Sequence, residues 1–360
     1  MIITFQQIKK LITQLGEHYA LLPIGAGETL LIWQEAGRVF GPYEKEDSAG
    51  LFWTDGALNC ASAYRTFRSS GGWNVGGDRL WVAPEFPFFT KKRREFQESY
   101  TVQSSLDPGI TALSRNGANE VVLESRLEAE LYEHRYSTKR LHTVRRFSRC
   151  ENPLRCSSAG ISLMEGVRFS GFCQYIRMED CSVDAPMALE IWNLCQVRAG
   201  GVFLIPHFGT QFDYVDYYAL SAGQVLTFHD GCACIRVRSC AEHKIGARAC
   251  QSVGRIGYLY PDEDGTYTLF IRNYWDNPSD RYLKEPSDRP GENGCSLFVY
   301  MNDTRSDGFA ELETTGETFG GVEMPSSQLA LYHWFYRGSM EALRPIMLEL
   351  LGVNWKDEML

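Results

Sequence analysis

Along most of this chain apolar and polar positions alternate with a period of two, and only the two ends shift to helical spacing. Phe5, Ile8, Ile12 and Leu15 recur every three or four residues, and Gly16 supplies a stop. Leu343, Ile346, Met347, Leu350 and Leu351 repeat that stripe before Gly352. The spacing predicts an amphipathic helix over about 4–16 and another over about 339–352, each laid on a larger body.

Between them the pattern reads as strand. The runs at 19–24 and 29–33 flank a glycine-containing turn, as in a hairpin. Long runs follow at 120–132 and 138–150, then others at 187–197, 201–206, 224–229, 234–239, 266–275, 295–301, 308–315 and 329–337. Gly, Pro, Asp and Asn separate them. So many strands without alternating helices argue against a parallel α/β arrangement. The expectation is an all-β fold of two large antiparallel sheets packed face to face, in one domain over 1–360 with its sandwich over about 19–336. No repeat period points to a propeller. The polar stretch 273–294 contains three prolines and reads as a long loop over one sheet end, a candidate lid or binding loop.

Composition then narrows the function. With 44% hydrophobic and 13% aromatic residues, 360 positions suffice for a sizeable core. A formal charge of −9 argues against a nucleic-acid binder, which presents a basic face, and against adsorption to anionic lipid. No stretch nears the roughly 20 apolar residues of a membrane span. The opening MIITFQQIKKLITQLG holds no continuous apolar run and no small-residue cleavage site, so a cytoplasmic protein with eleven reduced cysteines is expected.

The densest candidate chemistry lies at 71–89, GGWNVGGDRLWVAPEFPFF. Glycines let backbone approach a ligand closely. Arg79 has the fork for hydroxyls or a carboxylate, Trp81 a face for stacking on a sugar, and Glu85 acceptors for hydroxyls. Asp78 and Arg79 serve equally well as a buried clasp pinning a tight turn.

Here a resemblance emerges. GRVFGPY (37–43), LFWTD (51–55) and GGDRLWVAPE (76–85) resemble the N-terminal half of a branch of the galactose mutarotase-like proteins. EIWNLCQVRAGGVFLIPHF (190–208) resembles that branch's strand-turn-strand, and FAELETTG (309–316) the C-terminal strand that bears an acidic residue in mutarotases. The likeness runs over about 19–336. It implies the β-supersandwich also used by aldose 1-epimerases and by domains of some glycoside hydrolases and polysaccharide lyases.

In mutarotases a carboxylate takes the proton from the anomeric hydroxyl while a histidine protonates the ring oxygen. The ring opens, C1 rotates, and closure gives the other anomer, which requires base and acid on opposite sides of the hemiacetal. By that resemblance Glu313 is the first candidate for the base. Glu311 lies two residues earlier and shares its sheet face, as a neighbour or hydroxyl ligand. Two such carboxylates raise each other's pKa, although a solvated face has the same pattern. The family's histidine strand has no recognisable counterpart here. His207, ending GVFLIPH, is the nearest acid by strand order, and His229 ends QVLTFH.

Other constellations are weaker. Arg272 shares a strand face with Phe270 and Tyr274, and Trp275 ends that strand, so Arg272 and Trp275 are candidate sugar contacts or plain core. The run 212–220 offers Asp213, Asp216, Tyr217 and Tyr218 in an expected loop. His229, Cys232, Cys234, Cys240, His243 and Cys250 lack zinc-site spacing and read as buried thiols, so no metal is expected. GGWNVGG does not lead from a strand into a helix, which disfavours a dinucleotide.

The reading that results is a carbohydrate-binding protein with a small-molecule sugar as partner, and neither nucleic acid nor membrane. If catalytic, it interconverts anomers without an organic cofactor, using Glu313, Glu311 and His207, with Asp78, Arg79, Trp81 and Glu85 as binding wall. The alternatives are a non-catalytic sugar-binding or scaffold protein, and a glycoside hydrolase or lyase, the former needing carboxylates about 5–10 Å apart.

Overall fold

Thr4 opens the first helix, Phe5–Leu15, with a capping box in which its hydroxyl accepts from the Gln7 N–H and the Gln7 side chain accepts from the Thr4 N–H. Gly16 closes it in the left-handed conformation. Phe5, Ile8, Leu11 and Ile12 are buried, and Phe5 stacks on Tyr43 at 4.7 Å. The last long helix, Met340–Leu351, starts at the Ser339 cap and buries the predicted stripe against Leu204, Leu259, Leu269 and Ile271. These positions belong to a computed structural model that describes every residue except 1, 116, 118, 133–136, 158, 183–186, 219–222, 224, 239–241, 303–307, 321–323 and 360, and the side chains of 97 and 161.

Two antiparallel sheets lie between those helices. The front sheet has nine strands in the order Tyr19–Gly25, Glu28–Trp33, Arg38–Tyr43, Asp78–Ala83, Glu190–Arg198, Phe309–Thr315, Cys295–Met301, His243–Arg248 and Tyr214–Asp216. The back sheet has ten, in the order Leu226–His229, Cys232–Arg236, Val202–Pro206, Arg255–Pro261, Tyr267–Tyr274, Ser326–Gly338, Arg168–Asp180, Thr138–Arg149, Glu120–Glu130 and Thr111–Arg115. The first helix packs on the outer side of the front sheet and the last on the outer side of the back sheet. The all-β, two-sheet expectation therefore holds.

Several elements differ from the alternation pattern. Tyr214–Asp216, expected in a loop, is the edge strand of the front sheet, paired with His243–Arg248. Strand Arg168–Asp180 was hidden because it carries buried Ser170 and Gln174 where apolar residues would mark it. A helix at Ala61–Ser69 also lies between the predicted ends, its Tyr64 ring 5.5 Å from Trp33. The loop read over 273–294 begins two residues later: Asn273 and Tyr274 end the strand Tyr267–Tyr274, and 275–294 has no helix or strand.

The core between the sheets is mostly apolar, and its largest charged cluster centres on Asp78. Asp78, expected in a binding wall, faces this interior. Its carboxylate accepts from Arg145 at 2.6 Å, Arg272 at 3.3 Å and Asn193 at 3.1 Å. Arg272, expected as a sugar contact, is fully buried there and also donates to the Leu312 carbonyl at 3.2 Å. One carboxylate thus ties the two sheets together, and removing either partner would strand a buried charge. The glycines before Asp78 serve the chain itself. Gly77 has φ +75°, and a Cβ there would sit 2.5 Å from the Val39 carbonyl oxygen, so only glycine lets this strand dock. No helix among the described residues is long and apolar enough to cross a membrane. The ten described cysteines are free thiols.

Candidate functional site

Strand alternation sends Asp78 inward and therefore Arg79 and Trp81 outward, onto the front sheet's outer face. Antiparallel register extends that face. Arg79 pairs with Leu194 and Trp81 with Trp192, Gln196 with Glu311, Leu194 with Glu313, Glu311 with Tyr300, and Tyr300 with Lys244. Residues from five strands are thereby gathered into a cleft of about 220 Å3. Trp73, Trp81, Tyr100, Trp192, Tyr218 and Tyr300 supply its aromatic lining. Arg79, Lys244, Glu85, Glu242 and Glu311 supply its charges.

Arg79, Lys244, Glu85 and Glu311 are ion-paired. Glu311 Oε1 accepts from Arg79 at 2.8 Å and Gln196 at 2.6 Å. The Arg79 guanidinium lies 4.4 Å from the Trp81 ring centre, a cation–π contact that holds the fork in place. Trp81 donates its indole N–H to Asp107 at 3.0 Å and stacks on Phe89 at 4.5 Å. Tyr300 donates to Glu242 at 3.0 Å. Oε2 of Glu311 has no hydrogen-bond partner among the described residues, and Glu311 lines the cleft.

Glu313 lies beneath this floor, with no exposed surface. It meets Lys284 at 2.9 Å, Lys244 at 3.2 Å and the Trp192 indole N–H at 2.9 Å. Burial alone would raise its pKa, but the two ammonium groups outweigh burial and draw it down to about 2. Lys284 is pushed down to about 8 by its own burial and by Lys244, against the pull of Glu313. Lys244 is held above its ordinary value because Glu313 and Glu85 together outweigh its burial. Glu85 Oε2 stands 3.5 Å from Lys244 and 3.8 Å from Lys284, closing a cluster of two lysines and two glutamates. The Lys284 ammonium also sits 3.3 Å from the Trp192 ring centre.

Lys284 arrives on the irregular stretch 275–294, which is fastened beside the sheet. The Leu283 N–H donates to Glu190 at 2.5 Å, and Tyr217 donates to the Lys284 carbonyl at 3.0 Å. That stretch, read as a candidate lid, therefore provides a buried ion-pair partner.

Of the residues singled out in the sequence, Arg79, Trp81, Glu85 and Glu311 line the cleft and Glu313 underlies it. Asp78 and Arg272 point the other way. Trp275 is 74% exposed and lines neither the cleft nor the ion-pair cluster. His207 lies at the end of a back-sheet strand, its ring against Phe212, away from both carboxylates. No histidine lines the cleft among the described residues. Asp213 and Asp216 are likewise outside it, while Tyr218 is part of its wall. Cys232 and Cys234 lie in one back-sheet strand with their sulfurs 4.0 Å apart, and Cys240 falls outside the described residues. Lys244, Lys284, Trp192 and Gln196 were missed. The visible signal was polar or charged side chains inside otherwise apolar strands, as in EIWNLCQV and HKIGAR.

Fold and cleft together define a large β-sandwich with an aromatic, charge-paired cleft on one outer sheet face. Among solved structures it is similar to a galactose mutarotase-like protein from Lactobacillus casei, with 9% identity over 88% of this chain and 100% of that one, at a TM-score of 0.49. It is also similar to a galactose mutarotase related enzyme from Lactobacillus acidophilus, with 8% identity over 89% of this chain and 97% of that one, at a TM-score of 0.37. No protein-family model and no curated protein sequence matches the chain.

Proposed function

We propose that this protein binds a neutral carbohydrate in the front-sheet cleft. The observation that carries the reading is Glu311: Oε1 is anchored by Arg79 and Gln196, leaving Oε2 to accept a ligand hydroxyl on the cleft floor. Trp73, Trp81 and Tyr100 offer ring faces to the C–H side of a sugar. A neutral ligand suits the site because Arg79 and Lys244 already have carboxylate partners.

Anomer interconversion is the catalytic form of the same reading, and the geometry favours binding over it. Glu313 is a poor base while two ammonium groups hold it ionised, and it is sealed from the cleft. Glu85 is held by Lys244 and Lys284 and Glu242 by Tyr300, which leaves Glu311 as the candidate base, and the cleft's candidate acids are Lys244 and the tyrosines rather than His207.

Calorimetric titration of a panel of neutral mono- and disaccharides, with proton NMR of anomer exchange in parallel, tests both forms. Wild type should bind at least one sugar, and Glu311→Gln should weaken that affinity about tenfold, the value of a charged hydrogen bond. Absence of binding across the panel would remove the proposal. Accelerated anomer exchange that Glu311→Gln abolishes would establish the catalytic form.

A further inference from the structure

A second cavity, of about 40 Å3, lies behind Arg79, where the front sheet is nearly open. Strands Arg38–Tyr43 and Asp78–Ala83 share a single paired position, Val39 with Asp78, and the gap beside it is lined by Arg38, Arg79, Asp107, Ser125, Thr143 and Arg145. Arg38, Arg79 and Arg145 are 1%, 3% and 4% exposed.

Two independent features of this gap point to a ligand. The first is hydrogen bonding: Nε and Nη1 of Arg38, and Nε and Nη1 of Arg79, are buried without a partner. Each such donor is costly to leave unmade. The second is charge. The buried layer that reaches this gap holds four guanidinium groups, Arg38, Arg79, Arg145 and Arg272, against three carboxylates, Asp78, Asp107 and Glu311. Guanidinium stays protonated in protein interiors, so one positive charge is in surplus. The neighbouring cluster of Lys244, Lys284, Glu85 and Glu313 is balanced, and the cleft's remaining carboxylate, Glu242, is exposed to water rather than part of the buried layer. Asp107 is already engaged by Arg38 at 2.6 Å and Trp81 at 3.0 Å.

We propose that the cavity between Arg38 and Arg79 is a binding site for one small monovalent anion, of the halide class. Its size decides the class: a water needs about 10–15 Å3 of such space, so 40 Å3 admits a few waters or a halide and excludes a sugar or a phosphate ester. Water alone would satisfy the donors and leave the surplus charge buried. The anion satisfies both, and by fixing Arg38 and Arg79 it stiffens the wall between cavity and cleft. The site stands on its own residues and does not depend on what the cleft binds.

Melting of the full chain in chloride or bromide against glutamate, at equal ionic strength, tests this together with crystallography in bromide buffer. Glutamate is too large to enter. The expected result is a saturating rise in melting temperature of at least about 2 °C in either halide, with bromide anomalous density between Arg38 and Arg79. Ser125→Asp places a carboxylate in the cavity and should abolish the halide dependence while raising the melting temperature in glutamate. Equal melting of wild type in all three salts, or a cavity that holds only water in bromide, overturns the proposal. Because these readouts contain no sugar, failure of the carbohydrate reading leaves them unaffected.

Discussion

Glu313 shows how neighbours reverse a residue's expected chemistry. As a solitary carboxylate on a strand it is a natural base; between Lys244 and Lys284 it is an anchor that stays charged well below neutral pH. Its folded-state value of about 2 lies below the ordinary 4.5, so its stabilisation is complete above 4.5 and fades as pH falls toward 2. Urea titrations across that acid range should show a loss of about 3 kcal/mol that Glu313→Gln lacks. At neutral pH the same variant leaves two buried ammonium groups facing Glu85 alone, and should be destabilised by about 3–5 kcal/mol. Lys284→Met should be milder in the same assay, because Lys244 still neutralises Glu313 and the new side chain still covers Trp192. The pair FAELETTG announced two carboxylates on one face, and that much was legible. Their partners were not, since Arg79 lies 232 positions from Glu311 and Lys284 lies 29 from Glu313.

At the scale of elements, the stretch 275–294 and the Gly76–Gly77 approach decide how the cleft is built. The stretch is fastened by Glu190, whose pKa burial raises to about 7, against the lowering effect of its Leu283 and Thr318 hydrogen bonds. The folded value exceeds the ordinary 4.5, so the favourable protonated form is lost, and stability declines, as pH rises from 4.5 through 7. Glu190→Gln keeps an acceptor for the Leu283 N–H and removes the buried charge. Urea unfolding should find the variant close to wild type near pH 5 and about 2–3 kcal/mol more stable near pH 8. An unchanged pH profile would show that Glu190 does not titrate in the fastening. Gly77→Ala meets the Val39 carbonyl and a left-handed backbone at once, and thermal melting should register a loss of more than about 2 kcal/mol. The double glycine was conspicuous in the sequence, but what approaches it is the chain, through Val39 and Trp53, rather than a ligand.

Across the whole molecule, the charged layer between the sheets separates stability from binding. Asp78→Asn leaves Arg145 and Arg272 without their carboxylate and should lose about 3–5 kcal/mol in denaturant titration. Sugar affinity of the folded fraction should stay near wild type, because Asp78 faces away from the cleft. A variant that loses affinity but keeps stability would place Asp78 in the site after all.

The sequence by itself determined the local terms. Period-two alternation specified strands, the apolar stripes at both ends specified helices, and Gly16 and Gly352 marked where those helices stop. Alternation along Asp78–Ala83 separates Arg79 and Trp81 from Asp78, although all three were read as one binding wall. Which face was buried depended on the second sheet, because alternation is symmetric until one side is covered. Only the tertiary structure turned Asp78 into a clasp and Arg79 into a wall, and only antiparallel register through Glu190–Arg198 set Arg79 beside Glu311. His207 fell out for the same reason: strand order along the chain does not say which of two sheets a strand joins, and its strand joined the back one.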